Sequence, residues 1–487
     1  MERRKKLGLV LGPVLFLAAY LSPVLEGSPR AHRLLAVFLL IVVWWVTECL
    51  PIPVTALTIP IFLTVFGITS AREALGPFSN PIILLFLGSF ILARAMCVHG
   101  IDRRLALSIL SLRAIGAHPV RILFALGLTS LVLSMWISNT ATTAMMYPIA
   151  LGILDSFRNG DGEAVGRFPT VLLLTLAYGA SIGGIGTPIG SPPNLIAIGM
   201  LERLAGIRID FFQWMVIGFL VLIPTFIILF LFMRGPAARQ KAPERLDLED
   251  LRRGGAGGRL QRGQVNVLIA FSITVILWVL PGAVSLLAGR EAPVYVWLHT
   301  HIPESIAAMI GACLLFLLPV DLQRGRFTLT MKDALRVDWG TLLLFGGGLS
   351  LGFQMFDTGL ADVIGRAFIS LGGDAAAPAV ITLLAVALSV FLTELTSNTA
   401  SANMIIPIII AIAGASGINP LPPVLGSAIG CSFAFMLPVA TPPNAIIYGS
   451  GKIPLSGMMR HGFRMNLAGI VIIWLMVTLA APLAGMM

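Results

Sequence analysis

The sequence predicts an all-α polytopic membrane protein of about 11 transmembrane helices plus two re-entrant helical hairpins in an inverted repeat, with two broken helices. Three observations predict it. Hydrophobic residues make up 57% of the 487 positions and charged residues only 11%, against roughly a quarter charged in soluble domains. Ser138-Asn139-Thr140-Ala141 recurs at Ser397-Asn398-Thr399-Ala400, each copy inside an apolar stretch. Each copy is followed by a second polar break, GSPPN at 190–194 and ATPPN at 440–444. A membrane helix is interrupted only where the freed backbone groups line a cavity in the protein, so matching interruptions in two halves mark one site.

The chain opens on the basic cluster MERRKK and an apolar run at 7–25. A secretory signal peptide has that outline, but no convincing small-residue cleavage site follows, and an uncleaved first membrane helix is expected. About 20 apolar residues cross about 30 Å of hydrocarbon. Crossings are therefore expected at 7–25, 33–50, 52–67, 80–98, 169–204, 209–233, 264–288, 303–319, 338–358, 422–452 and 464–485. The stretches 118–154 and 376–415 have a polar break at the centre and read as hairpins that enter and leave on one side. Segments 101–116 and 360–372 mix Arg or Asp with apolar residues and suit interfacial helices.

Charge checks this count independently. With MERRKK cytoplasmic, four basic clusters fall inside: Arg103, Arg104, Arg113 and Arg121; 234–262; Arg324, Arg326, Lys332 and Arg336; and Lys452, Arg460 and Arg464. All agree with the positive-inside rule and leave the C-terminus external. The net charge of +10 is thus a topology signal, and no nucleic-acid partner is expected. The lipid bilayer is the expected surroundings, in a bacterial inner membrane.

Loop 234–262, with eight Lys/Arg, four Asp/Glu and GGAGG at 254–258, separates two halves that are related in register. Leu84-Leu85-Phe86 and Leu343-Leu344-Phe345 precede their Ser-Asn-Thr by the same spacing, and the offset of 259 continues through Pro148-Ile149 and Pro407-Ile408. Over 138–149 and 397–408, seven of twelve residues are identical. Five expected crossings separate the hairpins. An odd number opens them to opposite sides of the membrane, which makes the repeat inverted.

Each hairpin tip sets hydroxyls and amides in apolar sequence: Ser134, Ser138, Asn139, Thr140, Thr142 and Thr143 in one, Thr393, Thr396, Ser397, Asn398, Thr399, Ser401 and Asn403 in the other. One such cluster also suits hydrogen bonding between packed helices; two at equivalent positions, each with a Pro-Pro-Asn partner, argue for a site. Pro192-Pro193 and Pro442-Pro443 remove amide donors and break the crossings at Gly190-Ser191 and Ala440-Thr441. A half-helix N-terminus offers N–H groups to an anion, and unwound carbonyls hold a small cation. Gly183, Gly184, Gly186 and Gly190 permit the close backbone approach this needs. Neither motif contains Lys or Arg, which favours an anion bound together with cations.

WWVTECLPIPVTAL at 44–57, SNTATTAMM, GSPPNLIA, TELTSNTAS and CSFAFMLPVATPPNAII at 431–447 resemble the divalent anion/sodium symporter family, the INDY-type dicarboxylate transporters, over nearly the whole chain. The resemblance implies a homodimer in which a transport domain moves against a scaffold by an elevator motion. The scaffold would comprise 1–115 and 264–372, the transport domain 116–233 and 373–487, and 234–263 a cytoplasmic linker. It also implies one sodium ion at Ser134, Ser138, Asn139 and Gly190 and a second at Thr393, Thr396, Asn398 and Ala440. The substrate, a C4-dicarboxylate such as succinate, fumarate or malate, would meet Asn139, Thr140 and Ser191 and, from the other half, Asn398, Thr399 and Thr441. Two or more sodium ions and no organic cofactor are implied. The family signature departs at Ser191, where the second copy has threonine, and at Ile447, where valine is usual.

Other readings are an exchanger that ignores sodium, a sulfate carrier, or a passive anion channel. An enzyme is not expected, since HExxH and a histidine near either serine motif are both missing. Glu48 and Glu394 are intramembrane carboxylates; Glu394, whose counterpart is Met135, is expected to satisfy backbone donors near its hairpin, with a proton relay as the alternative. Trp44, Trp45, Trp214, Trp297 and Trp339 are expected at the membrane interfaces.

Overall fold

The computed structural model describes residues 3–22, 25, 27–112, 115–116, 118–157, 167–240, 259–372 and 377–486. The chain is mostly helical and of polytopic membrane type. Among the described residues, six helices are long and apolar enough to cross a membrane, or seven if Pro293–His301 and Glu304–Leu317, bent by 63°, are one span. The sequence reading expects eleven crossings, and the two sets differ. Asn398–Ala415, one of the six, is an arm of an expected hairpin, and the expected crossings 169–204 and 422–452 are each split into shorter helices. Arg3–Leu21 and Trp339–Asp357, 19 residues each, are not among the six. Ile52–Val65 and Glu304–Leu317 have 14 residues each, about 21 Å of helix at about 1.5 Å per residue.

The expectation of an all-helical chain needs one correction. Strands Pro319–Asp321 and Arg326–Phe327 pair antiparallel in the connection that carries the third basic cluster. The Asp321 carboxylate accepts from Arg324 N–H at 3.2 Å and from Arg326 Nη2 at 3.3 Å, closing the turn between them.

Both expected hairpins form. The first is Pro119–Ser134 and Asn139–Ser156, the second Pro378–Thr393 and Asn398–Ala415, each boundary of the second lying 259 residues beyond the first. Proline starts each first arm, where its missing N–H would have no partner. Serine caps each second arm: Ser138 Oγ accepts from Ala141 N–H and Ser397 Oγ from Ala400 N–H, both at 3.3 Å. The expected breaks are wider than two residues. Phe168–Gly183 resumes as Pro192–Ala205, and Leu421–Gly430 resumes as Pro442–Tyr448. Helices Ile101–Leu110 and Leu360–Gly372 occupy the segments read as interfacial.

A Cβ on Gly183 would stand 2.2 Å from the Leu131 carbonyl oxygen, so glycine there is what lets Phe168–Gly183 lie against the first hairpin arm. A smaller apolar cluster joins Pro29–Thr47 and Ile52–Val65 to Trp339–Asp357 and Asn398–Ala415 through Leu34, Ile41, Trp45, Ile59, Met355 and Met404. Two tryptophans expected at the interface are core residues instead: Trp45 and Trp214 are fully buried, and Trp214 Nε1 donates to Ile185 O at 3.0 Å. Trp297 and Trp339 are exposed. Ile223, Ile227, Leu231 and Ile276 also face outward, an apolar surface suited to lipid rather than water.

Candidate functional site

The two hairpin tips and the two breaks meet around one cavity of about 580 Å³. Its wall takes Ser138–Ala141 and Gly190–Pro192 from the first half and Ser397–Thr399 and Ala440–Pro443 from the second. All six residues expected to hold substrate line it: Asn139, Thr140, Ser191, Asn398, Thr399 and Thr441. So do five of those expected around sodium, namely Ser138, Asn139, Gly190, Asn398 and Ala440. Ser134, Thr393 and Thr396 are buried and do not line it.

Local geometry explains that division. Ser134 Oγ donates to Asn139 Oδ1 at 2.7 Å, and Thr393 Oγ1 lies 2.7 Å from Asn398 Oδ1, so the same five-residue reach recurs in each tip. Thr393 Oγ1 also lies 2.7 Å from Cys431 O, which ties the second tip to its break. Thr396 is turned elsewhere and donates to Trp45 O at 3.3 Å. Each tip therefore stacks a buried hydroxyl beneath a wall-forming asparagine. Hydroxyl, amide and carbonyl oxygens are hard donors, the kind a small hard cation takes.

Anion donors are present as well, but not where the proline-bounded half-helices were expected to supply them. Prolines occupy the first two positions of Pro192–Ala205 and Pro442–Tyr448, and the next N–H is already used: Asn194 N–H donates to Ser191 O at 3.1 Å and Asn444 N–H to Thr441 Oγ1 at 3.3 Å. The first N–H groups of the second hairpin arms, at Asn139, Thr140, Asn398 and Thr399, take no partner among the described residues. Helix N-termini carry about half a positive charge, and here two of them serve one cavity with no Lys or Arg in its wall. The breaks also touch each other, Ser191 Oγ lying 2.9 Å from Ser432 Oγ.

Glu394 does what the sequence reading favoured. Its Oε1 accepts from Phe435 N–H and Met436 N–H, both at 2.7 Å, and from Asn466 Nδ2 at 2.8 Å, while Oε2 accepts from Leu437 N–H at 3.1 Å. Glu48 lies away from the cavity as the left-handed C-cap of Pro29–Thr47, with φ 49°.

Several wall residues escaped the sequence reading. Ile52, Pro53, Asp338, Gly340, Thr341 and Leu344 complete the cavity. Asp338 caps the helix Trp339–Asp357, its carboxylate accepting from Thr341 N–H at 3.1 Å and Thr341 Oγ1 at 2.6 Å. The signal for it was an aspartate just ahead of a long apolar run. A separate cavity of about 640 Å³ holds Glu202, Arg203, Arg208 and Glu304. Arg208 there lies 3.8 Å from Glu202 and 3.7 Å from Glu304, and none of the duplicated motif residues of the tips is present.

Residues 3–486 match the family model described as the sodium:sulfate symporter transmembrane region. The chain is 35% identical over 485 residues to the sodium-dependent dicarboxylate transporter SdcS of Staphylococcus saprophyticus, covering 98% of this chain and 91% of that protein. It is also 35% identical over 498 residues to SdcS of Staphylococcus aureus (strain USA300), with the same coverage. Among solved structures it resembles the Alcanivorax borkumensis YdaH transporter, with TM-score 0.57 and 13% identity over 97% of this chain and 96% of that one. Neisseria gonorrhoeae MtrF matches with TM-score 0.60 and 13% identity, covering 97% and 95%. At that identity the two structures speak for the fold alone. A match over nearly the whole length, with the duplicated motifs assembled at one cavity, means that the chain belongs to the sodium:sulfate symporter family, the divalent anion/sodium symporters.

Proposed function

We propose that this membrane protein is a sodium-coupled symporter of small divalent anions, C4-dicarboxylates foremost. One observation carries the reading: both Ser-Asn-Thr tips and both Pro-Pro-Asn breaks converge on a cavity whose wall, among the described residues, has no Lys or Arg. A dianion there lacks a cationic side chain, and its charge is offset by co-bound sodium and by the two helix N-termini. The family and the SdcS relatives, named as sodium-dependent dicarboxylate transporters, support both the ion and the substrate.

In this reading Ser134, Ser138, Asn139 and Gly190 hold one sodium ion, and Thr393, Thr396, Asn398 and Ala440 the other. The Ser134 proton turns away from Asn139 Oδ1 as the ion enters, so that both oxygens face it. Asn139, Thr140, Ser191, Asn398, Thr399 and Thr441 receive the substrate carboxylates. Asn139 and Asn398 thus join ion to anion, and binding of either favours the other.

The matching helix boundaries support a repeat, which five intervening crossings would invert, in a chain that spans eleven times. Residues 1–115 and 264–372 form the scaffold of a homodimer, and 116–233 and 373–487 the body that moves. With the N-terminus cytoplasmic in a bacterial inner membrane, Ile52, Pro53 and Asp338–Thr341 belong to the cytoplasmic ends of their crossings, and the cavity they edge faces inward. The deciding experiment is uptake of labelled succinate into proteoliposomes with and without an inward sodium gradient. Uptake that follows the gradient is expected; uptake that ignores sodium and needs internal dicarboxylate would make the protein an exchanger.

A further inference from the structure

The third residue of each Pro-Pro-Asn motif is absent from the cavity wall. Asn194 and Asn444 are fully buried, and each spends both amide protons on the loop that precedes its own helix. Asn194 Nδ2 donates to Gly184 O at 2.9 Å and Thr187 O at 2.8 Å. Asn444 Nδ2 donates to Ala434 O at 2.9 Å and Leu437 O at 3.0 Å. Each acceptor lies ten and seven residues before its asparagine, in both halves.

What the clip holds gives it a meaning beyond the fold. Gly184 is wedged between two residues of the first proposed cation site. A Cβ on Gly184 would stand 2.5 Å from Asn139 Oδ1, and a Cβ on Gly190 would stand 2.6 Å from the Gly184 carbonyl oxygen. The carbonyl that Asn194 grips therefore belongs to the residue on which Asn139 and Gly190 both rest. In the second half, the gripped segment 434–437 leads directly into Ala440, and the break begins at Cys431, whose carbonyl meets Thr393.

We propose that Asn194 and Asn444 are positioning residues that set the spacing of the oxygens in the two cation sites, and so the protein's affinity for sodium, without touching ion or substrate. This rests on the sodium reading given above. A carbonyl cage selects and binds its ion by the distances between oxygens, so a loop freed by a few tenths of an ångström weakens ion binding before it unfolds anything. The two clips are not equal. The second loop is also held by the Glu394 carboxylate through three charge-assisted bonds, whereas the first relies on neutral contacts from Thr187 Oγ1 to Met135 O and from Trp214 to Ile185 O. Loss of Asn194 is therefore felt more than loss of Asn444.

The test is the thermal unfolding of the purified full chain in detergent, titrated with sodium chloride against choline chloride, for Asn194→Asp, Asn194→Ser, Asn444→Ser and Asn139→Ala. Asn194→Asp keeps the shape but replaces both donors by an oxygen. It should raise the sodium concentration for half-maximal stabilisation about tenfold or more, the equivalent of one to two lost hydrogen bonds. Asn194→Ser should give a smaller rise and Asn444→Ser the smallest. Succinate affinity at saturating sodium should stay within about twofold, because the wall is intact. A variant that unfolds earlier by the same amount in sodium and in choline, with its sodium midpoint unchanged, would overturn the proposal and leave the asparagines as fold residues. If neither Asn194 variant folds, the midpoint of Asn444→Ser decides by the same criterion. Asn139→Ala separates the two readings: a midpoint it leaves unmoved sinks the sodium site itself, whereas one that it moves and the clip variants do not sinks only the clip.

Discussion

The two breaks build the same feature from opposite materials. In the first, the chain between Gly183 and Ser191 nests against the hairpin because glycine occupies 183, 184, 186 and 190. In the second, Phe433, Phe435, Met436 and Leu437 are too large to nest, and a buried carboxylate reaches in to collect three of their backbone N–H groups. Met135 stands where the second half has Glu394, and its backbone carbonyl accepts from Thr187 Oγ1. Both loops finish with an asparagine gripping two carbonyls. An unwound segment in a membrane protein must have its polar groups satisfied; in the first half the neutral side chains of Asn194 and Trp214 donate to loop carbonyls, and in the second a carboxylate accepts from loop N–H groups.

If that contrast is right, Glu394→Ala should be the most damaging single change. It strands one buried and two part-buried N–H groups and the Asn466 amide, at roughly 3 kcal/mol or more, and thermal unfolding would read it; a melting temperature near wild type would show that water or another group takes over. Next come Asn139→Ala and Asn398→Ala. Each should cut sodium-driven succinate uptake roughly 50- to 100-fold, about 2–3 kcal/mol, and the site assignment fails if both leave transport and its sodium dependence intact.

Gly183→Ala follows, since its Cβ would meet backbone 2.2 Å away. The expected cost is about 1–3 kcal/mol in unfolding, while Ala434→Gly in the other half should cost about 1 kcal/mol or less; equal effects would mean that the halves do not differ as described. Smallest is Ser432→Ala, which removes the hydrogen bond to Ser191 across the breaks. A loss of about 1 kcal/mol is expected, and a larger one would mean that the contact between halves matters more than the packing within them.

Much of this was legible beforehand. The polar break at the centre of 118–154 and of 376–415 placed both hairpins, because the serine of each Ser-Asn-Thr stops one arm and caps the next through its own backbone. The six residues expected to meet substrate came from the family resemblance, within polar breaks that the duplication had marked, and all six line the wall. Asp338 and Pro53 were not, since they reach the cavity only through the packing of distant helices. Trp214 was misplaced because its distance from a helix end says nothing of which way the ring turns; only the Ile185 carbonyl across the interface decides that.

The sequence by itself determined that this chain lives in a membrane, that its polar breaks come in matched pairs, and where the second half of each broken helix begins. Those are consequences of hydropathy and local backbone chemistry. Only the tertiary structure decided that Asp338 and Pro53 join the cavity wall, that Thr396 turns to Trp45 rather than toward it, and that Asn194 and Asn444 work beneath the surface. The physical reason is that a buried polar group takes whichever partner the folded chain brings within about 3 Å, and that partner is far away in sequence as often as near.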